Sequence, residues 1–130
     1  GGNRRIRFHG AVTPDQVQEF MWNADMLVMN STFEGVPMII LEAISTGLPV
    51  VTTDVGGIRE ILSFGLDSEV TDGTVSGICA AMDAVLSDYS RHSRAAYEKS
   101  LLYDYRRVNR KVFQVLNESL CWERSSDDTQ

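Results

Sequence analysis

The spacing of apolar residues changes several times along the chain, and each change predicts an element. Arg5-Ile6-Arg7-Phe8 alternates polar and apolar, the two-residue period of a short strand, and Gly10 follows as a turn. Thr13-Pro14-Asp15 then predicts a helix start, with Thr13 as N-cap and Pro14 in the first position. That helix runs toward Trp22 and sets Val17, Phe20 and Met21 on one face. Met26 to Met29 is an unbroken apolar run of strand length, the pattern of a strand covered on both faces. Val36 to Thr46 is too long and too rich in Glu and Ala for a strand. Pro37 near its start and Gly47 at its end bound a helix. Pro49 to Thr53 is a second buried β-type run, and Gly56-Gly57 opens a short helix through Leu62.

Downstream, Val75–Leu86, Arg91–Lys99 and Val108–Trp122 carry helical spacing, whereas the segment SFGLDSEVTDGTV (63–75) reads as too polar for a buried strand. Residues 125–130 are Ser-, Asp- and Thr-rich and read as a disordered tail. Neither an internal repeat nor a Gly/Ser linker divides residues 1–124, so they read as one domain. Short buried strands alternating with helices predict the α/β class, with a parallel sheet flanked by helices.

Composition narrows the function classes. With 43% hydrophobic and 23% charged residues the chain has the make-up of a soluble globular domain. Its net charge of −6 argues against a nucleic-acid partner, which needs a basic face to displace counterions. An anionic small ligand stays open, because local dipoles can set a site's potential. Cys79 lies in the apolar stretch Ile78–Met82 and is expected to be a small core residue. Neither it nor Cys121 belongs to a C-x-x-C pair, so a zinc or redox site is unsupported and a reducing, cytoplasmic setting is the default expectation. No apolar run approaches the ~20 residues of a membrane span. The chain opens at Gly1 without Met or a signal-peptide pattern, which reads as a segment of something longer.

The chemistry concentrates between Ala24 and Leu62. The Ser31–Val36 loop leaves the C-terminal end of a strand, where open parallel sheets bind ligands. Gly35 allows close backbone approach, and the helix beginning at Val36-Pro37-Met38 offers free amides to an anion. Glu34 stands just before that helix and Glu42 eight residues on, a span of ~12 Å at most. Two glutamates so spaced are, by themselves, ordinary solvated surface; their setting is what singles them out. Ser31 and Thr32 read as loop-capping hydroxyls, and His9 as a surface or structural residue rather than a base. Arg4, Arg5 and Arg7 read as a solvated strand face, and Arg59 is left open.

Glu34-x(7)-Glu42 within EGVPMIILEA, followed by Gly47-Leu48-Pro49-Val50-Val51 and Gly56-Gly57-Ile58-Arg59-Glu60, resembles the signature of the group 1 glycosyltransferases. These are retaining enzymes of the two-Rossmann-domain (GT-B) type. The lead-in Ala24-Asp25, Ser31, Glu34-Gly35 and Pro37 is similar too, as is Phe8-x-Gly10 before its helix. The resemblance is close over residues 5 to 62 and looser through Tyr103-Asp104-Tyr105 and the last helix.

That likeness implies a partial Rossmann-like domain, the C-terminal donor-binding part of the enzyme, incomplete on its N-terminal side. It implies transfer of a hexose from a nucleotide diphosphate sugar, such as a UDP- or GDP-hexose, to an acceptor hydroxyl with retention. Glu34 would meet the sugar as the catalytic carboxylate. Gly35, Val36, Pro37 and Met38 would meet sugar and diphosphate, and Glu42 the ribose. The backbone around Phe8 to Gly10 would lie against the base. No D-x-D motif occurs, in keeping with a metal-independent enzyme without cofactor. The acceptor-binding N-terminal domain and the basic residues that grip the diphosphate are absent from these residues, so the isolated chain is expected to be inactive; peripheral membrane association of the parent is a further expectation. Two features depart from the family pattern: Asn30 stands where Pro is usual, and 63–75 lacks the usual glycine-led apolar strand. A sugar phosphorylase or epimerase on the same scaffold, or a non-catalytic binding or regulatory module, are the alternative readings.

Overall fold

Three short strands form the centre of the molecule, each followed by a helix, in a computed structural model that describes residues 5–104 together with Arg106 and Arg110. In chain order these are α1 (Pro14–Asn23), β1 (Leu27–Met29), α2 (Met38–Ser45), β2 (Val50–Thr53), α3 (Ile58–Ile61) and β3 (Ser68–Thr71). Then come α4 (Val75–Ser87), α5 (Tyr89–Ser100) and a 3-10 turn, Leu101–Tyr103. The sheet is parallel in the order β1-β2-β3, with Leu27 beside Val50 and Val50 beside Ser68. The fold is α/β and Rossmann-like, as the alternating pattern predicts.

Local chemistry accounts for the helix boundaries. Thr13 caps α1 in a capping box with Gln16, so two otherwise orphan amides are satisfied, and Pro14 occupies the first turn. Gly47, at φ +76, ends the α2 turn in the left-handed conformation that glycine adopts without penalty. The adjacent Val50 and Val51 point to opposite faces of the sheet. Val50 joins the larger cluster with Met21 of α1, Ile40, Ala43 and Ile44 of α2, Ile58 and Ile61 of α3, and Ala96 of α5. Val51 packs with Ala81 and Val85 of α4. Each fully buried aliphatic side chain here is worth about 1.5–3 kcal/mol relative to its exposed state, so the two-sided burial of β2 anchors the sheet.

Four expectations are corrected. Residues 6–10 form no strand, and Phe8 is 95% exposed. A strand is held by its ladder, and the sheet described ends at β1 without taking this segment in. β1 is not covered on both faces: Val28 is 40% exposed, because α4 packs over β3 and β2 instead. Cys79 is exposed rather than in the core. The inward stripe of α4 runs through Ala81 and Val85, with Ile78 and Met82 half-buried beside it, and Cys79 falls off that stripe.

The fourth correction is β3, which forms from the polar segment. Ser68 is fully buried and Thr71 nearly so. Their polarity is absorbed internally: Ser68 Oγ donates to Asp67 Oδ1 at 2.8 Å, Asp67 accepts from the Ser63 amide, and Thr71 Oγ1 accepts from the Gly73 amide at 3.1 Å. Glu69 Oε1 meets Nε2 of His92 at 3.0 Å, and the buried His92 ring places Nδ1 3.0 Å from the Asp88 carbonyl oxygen. Among the described residues no buried side-chain nitrogen or oxygen lacks a partner, which is what lets a polar strand sit inside. Among them, too, no helix is long and apolar enough to cross a membrane. Apart from Arg110, the predicted helix 108–122 lies outside the described residues, as do Tyr105, Arg4 and the 125–130 tail.

Candidate functional site

All three strands end on one edge of the sheet, and the loops leaving that edge are stitched together. The loop after β1 carries Asn30 to Pro37, the loop after β2 carries Asp54 to Gly57, and the loop after β3 carries Asp72 to Thr74. Asn30 Nδ2 donates to the Gly73 carbonyl at 3.2 Å, linking the outer two across the sheet. Thr53 Oγ1 donates to the Ser31 carbonyl at 2.6 Å, and the Gly57 amide donates to the Gly35 carbonyl at 3.0 Å. Asn30, the residue that departs from the family pattern, therefore has a structural task here.

Glu34 sits half-buried in the middle of this arrangement, and its Oε1 accepts from Ser31 Oγ at 2.7 Å. The Ser31 hydroxyl thus serves the carboxylate rather than capping a loop amide. Gly56 explains why the β2 loop can approach so closely. At φ +57 it takes a conformation that side-chain-bearing residues rarely adopt, and a Cβ there would run into the carbonyl oxygen of Glu34. The Gly56-Gly57 pair is therefore a contact surface for the Glu34 loop as well as a turn into α3.

Beyond Glu34 the chain passes Gly35 and Val36 to Pro37, the N-cap of α2, which makes no side-chain cap bond. A Cβ placed on Gly35 would meet no atom within 4 Å, so this side of the loop is open. Val36 and Met38 are exposed and Pro37 is buried. The α2 N-terminus and its first amides consequently face outward beside a fixed carboxylate, an arrangement suited to a ligand carrying both hydroxyls and negative charge.

Glu42 is exposed on α2 and stands on a ridge between two grooves. One, of about 440 Å³, lies against α1 and is lined by Val12, Pro14, Val17, Gln18 and Met21 as well as Glu42. The other, of about 490 Å³, lies against α5 and the 3-10 turn, with Met38, Leu41, Tyr97, Leu101 and Tyr103. Glu34 lines neither of these two grooves. Phe8 and Gly10 lie in the exposed stretch before α1, where Gly10 turns at φ +67 and His9 packs its ring on Phe20 at 4.4 Å between centroids. Val12, two residues further, reaches the groove that Glu42 shares.

Arg59 now has an assignment. Its Nε donates to Asp54 Oδ2 at 2.7 Å and its guanidinium lies 5.2 Å from the centre of the Phe64 ring. The Asp54 hydrogen bond, and secondarily its charge, hold the Arg59 proton more firmly than usual. This cation is engaged along α3. Among the described residues no group of three or more His, Cys, Asp or Glu is placed to hold a metal ion. Sequence reasoning missed Thr53 and the steric role of Gly56. The signal available for Thr53 was a polar residue closing the buried run Pro49–Thr53 at the binding edge of the sheet.

Comparison with known proteins accords with this fold. The sequence model of the family described as "Glycosyl transferases group 1" matches residues 1–88. The chain is 27% identical over 122 residues to the sulfoquinovosyl transferase of Arabidopsis thaliana, covering 88% of this chain and 24% of that one. Among solved structures it superposes on the sucrose-phosphate synthase of Thermosynechococcus elongatus with a TM-score of 0.76 at 17% identity, covering 90% of this chain and 31% of that one. It superposes on Anabaena HepE in complex with UDP with a TM-score of 0.64 at 22% identity, covering 77% and 29%. The chain spans about a quarter of the length of the curated relatives it matches, between 23% and 30% for three of them.

Proposed function

The chain belongs to the group 1 glycosyltransferases, and from that premise we propose that it is the donor-binding part of a retaining hexosyltransferase acting on a nucleoside diphosphate sugar. The observation that carries the proposal is Glu34, held by Ser31 immediately before the outward-facing N-terminus of α2, at the C-terminal edge of a parallel sheet. A carboxylate there can accept from vicinal sugar hydroxyls while the diphosphate rests on the amides of Gly35 to Met38. As the glycosidic bond lengthens, negative charge grows on the departing phosphate and positive charge on the ring. Fixed amides favour the first and Glu34 the second, and neither has to reorganise to do so.

In this reading Glu42 accepts from the ribose. The α1–α2 groove beside it receives the base. The UDP complex of the Anabaena neighbour supports a nucleotide of this class, and the share of its relatives that the chain spans supports a second, acceptor-binding domain elsewhere in the parent enzyme.

Glu34→Gln in the full-length enzyme tests the proposal. It keeps an acceptor but removes the charge, so kcat and kcat/KM should fall together by about 10²-fold or more, the mark of an interaction made mainly in the transition state. Bare UDP or GDP should bind the variant normally. Wild-type kcat, or lost nucleotide affinity instead, means that the sugar is not at Glu34.

A further inference from the structure

We propose that Ser31 is a positioning residue for the Glu34 carboxylate, and that Thr53 holds Ser31 in place to do so. The inference rests on the reading of Glu34 as the sugar-side carboxylate. A glutamate in a loop has three side-chain torsions, and left unrestrained it samples several rotamers. Here its outer end is tied, because Ser31 Oγ donates to Oε1 at 2.7 Å. Its inner end is tied as well, because the next carbonyl, that of Gly35, accepts from the Gly57 amide at 3.0 Å.

Ser31 can hold Glu34 only if Ser31 is itself fixed. Its carbonyl accepts from Thr53 Oγ1 at 2.6 Å, and Thr53 closes β2, whose preceding residues Val50, Val51 and Thr52 are fully buried. Orientation is thus handed from the buried centre of the sheet through two hydroxyls to the carboxylate. The geometry leaves room for substrate. An ionised carboxylate offers about four acceptor positions and Ser31 occupies one, so the rest stay available to sugar hydroxyls.

Two measurements test this. In the 130-residue chain, three-bond couplings across the Glu34 χ1 torsion should report a single rotamer. They should become averaged in Ser31→Ala and return to the single-rotamer values in Ser31→Thr, which restores the hydroxyl. Thr53→Val, which keeps the shape of Thr53 but lacks its hydroxyl, should shift the couplings the same way as Ser31→Ala. In the full-length enzyme, Ser31→Ala should lower kcat by about tenfold with donor KM within about twofold, since misplacing a catalytic group acts on the transition state. Ser31→Thr should recover most of that loss. Averaged couplings in the wild type, unchanged couplings in Ser31→Ala, or a Ser31→Thr enzyme as impaired as Ser31→Ala would each overturn the proposal. If the couplings respond as expected while Glu34→Gln leaves kcat untouched, the clamp stands and the catalytic reading of Glu34 is what fails.

Discussion

Gly56 offers the sharpest test of how the candidate site is assembled, because its replacement by alanine combines two separable costs. The first is backbone: at φ +57 an added Cβ costs about 1–2 kcal/mol. The second is contact. The Cβ would collide with the Glu34 carbonyl oxygen, which is main chain and cannot rotate away. The Glu34 loop must therefore withdraw, and the bond from the Gly57 amide to the Gly35 carbonyl is lost with it, about 1 kcal/mol more. Together Gly56→Ala should destabilise the chain by about 2–3 kcal/mol and free the Gly57 amide to exchange. Gly35→Ala is the control two strands' loops meet on. Its Cβ would enter open space, and its φ lies outside the left-handed range, so stability should stay within about 1 kcal/mol of wild type. Donor binding should nonetheless weaken in Gly35→Ala, because the open space is where the ligand would lie. Urea denaturation read by circular dichroism gives the stabilities, and amide exchange at Gly57 reads the contact. A Gly56→Ala chain within 0.5 kcal/mol (roughly the scatter of neutral surface changes) and with Gly57 still protected would refute the argument.

Three more outcomes follow from the same structure. Glu42→Gln should weaken nucleotide binding by about 1–2 kcal/mol in titration calorimetry on the full-length enzyme, with kcat at saturating donor preserved; unchanged affinity would return Glu42 to ordinary surface. His92→Ala should destabilise by about 2–3 kcal/mol in urea, because it opens a cavity between α5 and β3 and removes the ring nitrogen that Glu69 Oε1 meets, while the Asp88 carbonyl keeps its bond from the residue 92 amide; a loss below about 1 kcal/mol would show that β3 does not depend on it. The 130-residue chain alone should transfer no sugar from UDP- or GDP-hexose in a product-release assay, since the proposed function assigns the acceptor site and the cations that grip the diphosphate to other parts of a longer enzyme; measurable turnover would overturn that.

Much of the molecule was legible in its amino acids, wherever a few neighbouring residues carry the whole signal. Thr13 with Pro14 starts α1, Pro37 and Gly47 bound α2, and the run Pro49–Thr53 yields β2, because caps, fixed φ values and unbroken apolar runs act within one or two turns of chain. The EGVP motif placed Glu34 ahead of a helix for the same reason. What stayed hidden depends on partners distant in sequence. Ser68 and Thr71 satisfy their hydroxyls with near neighbours, but they are strand residues because β2 pairs with them and α4 packs over β3, and no local pattern announces that. Arg5 to Phe8 has strand periodicity without a ladder to join, since alternation confers a suitable face but not a neighbour. Cys79 lies in an apolar stretch, yet its exposure depends on which side of α4 meets the sheet. The orientation of Glu34 is likewise a tertiary decision: Ser31 is near it in sequence, but Thr53, Gly56 and Gly57 are about twenty residues away, brought there only by the parallel pairing of β1 with β2. Local chemistry chooses the elements; where a carboxylate points depends on which strand ends the sheet sets side by side.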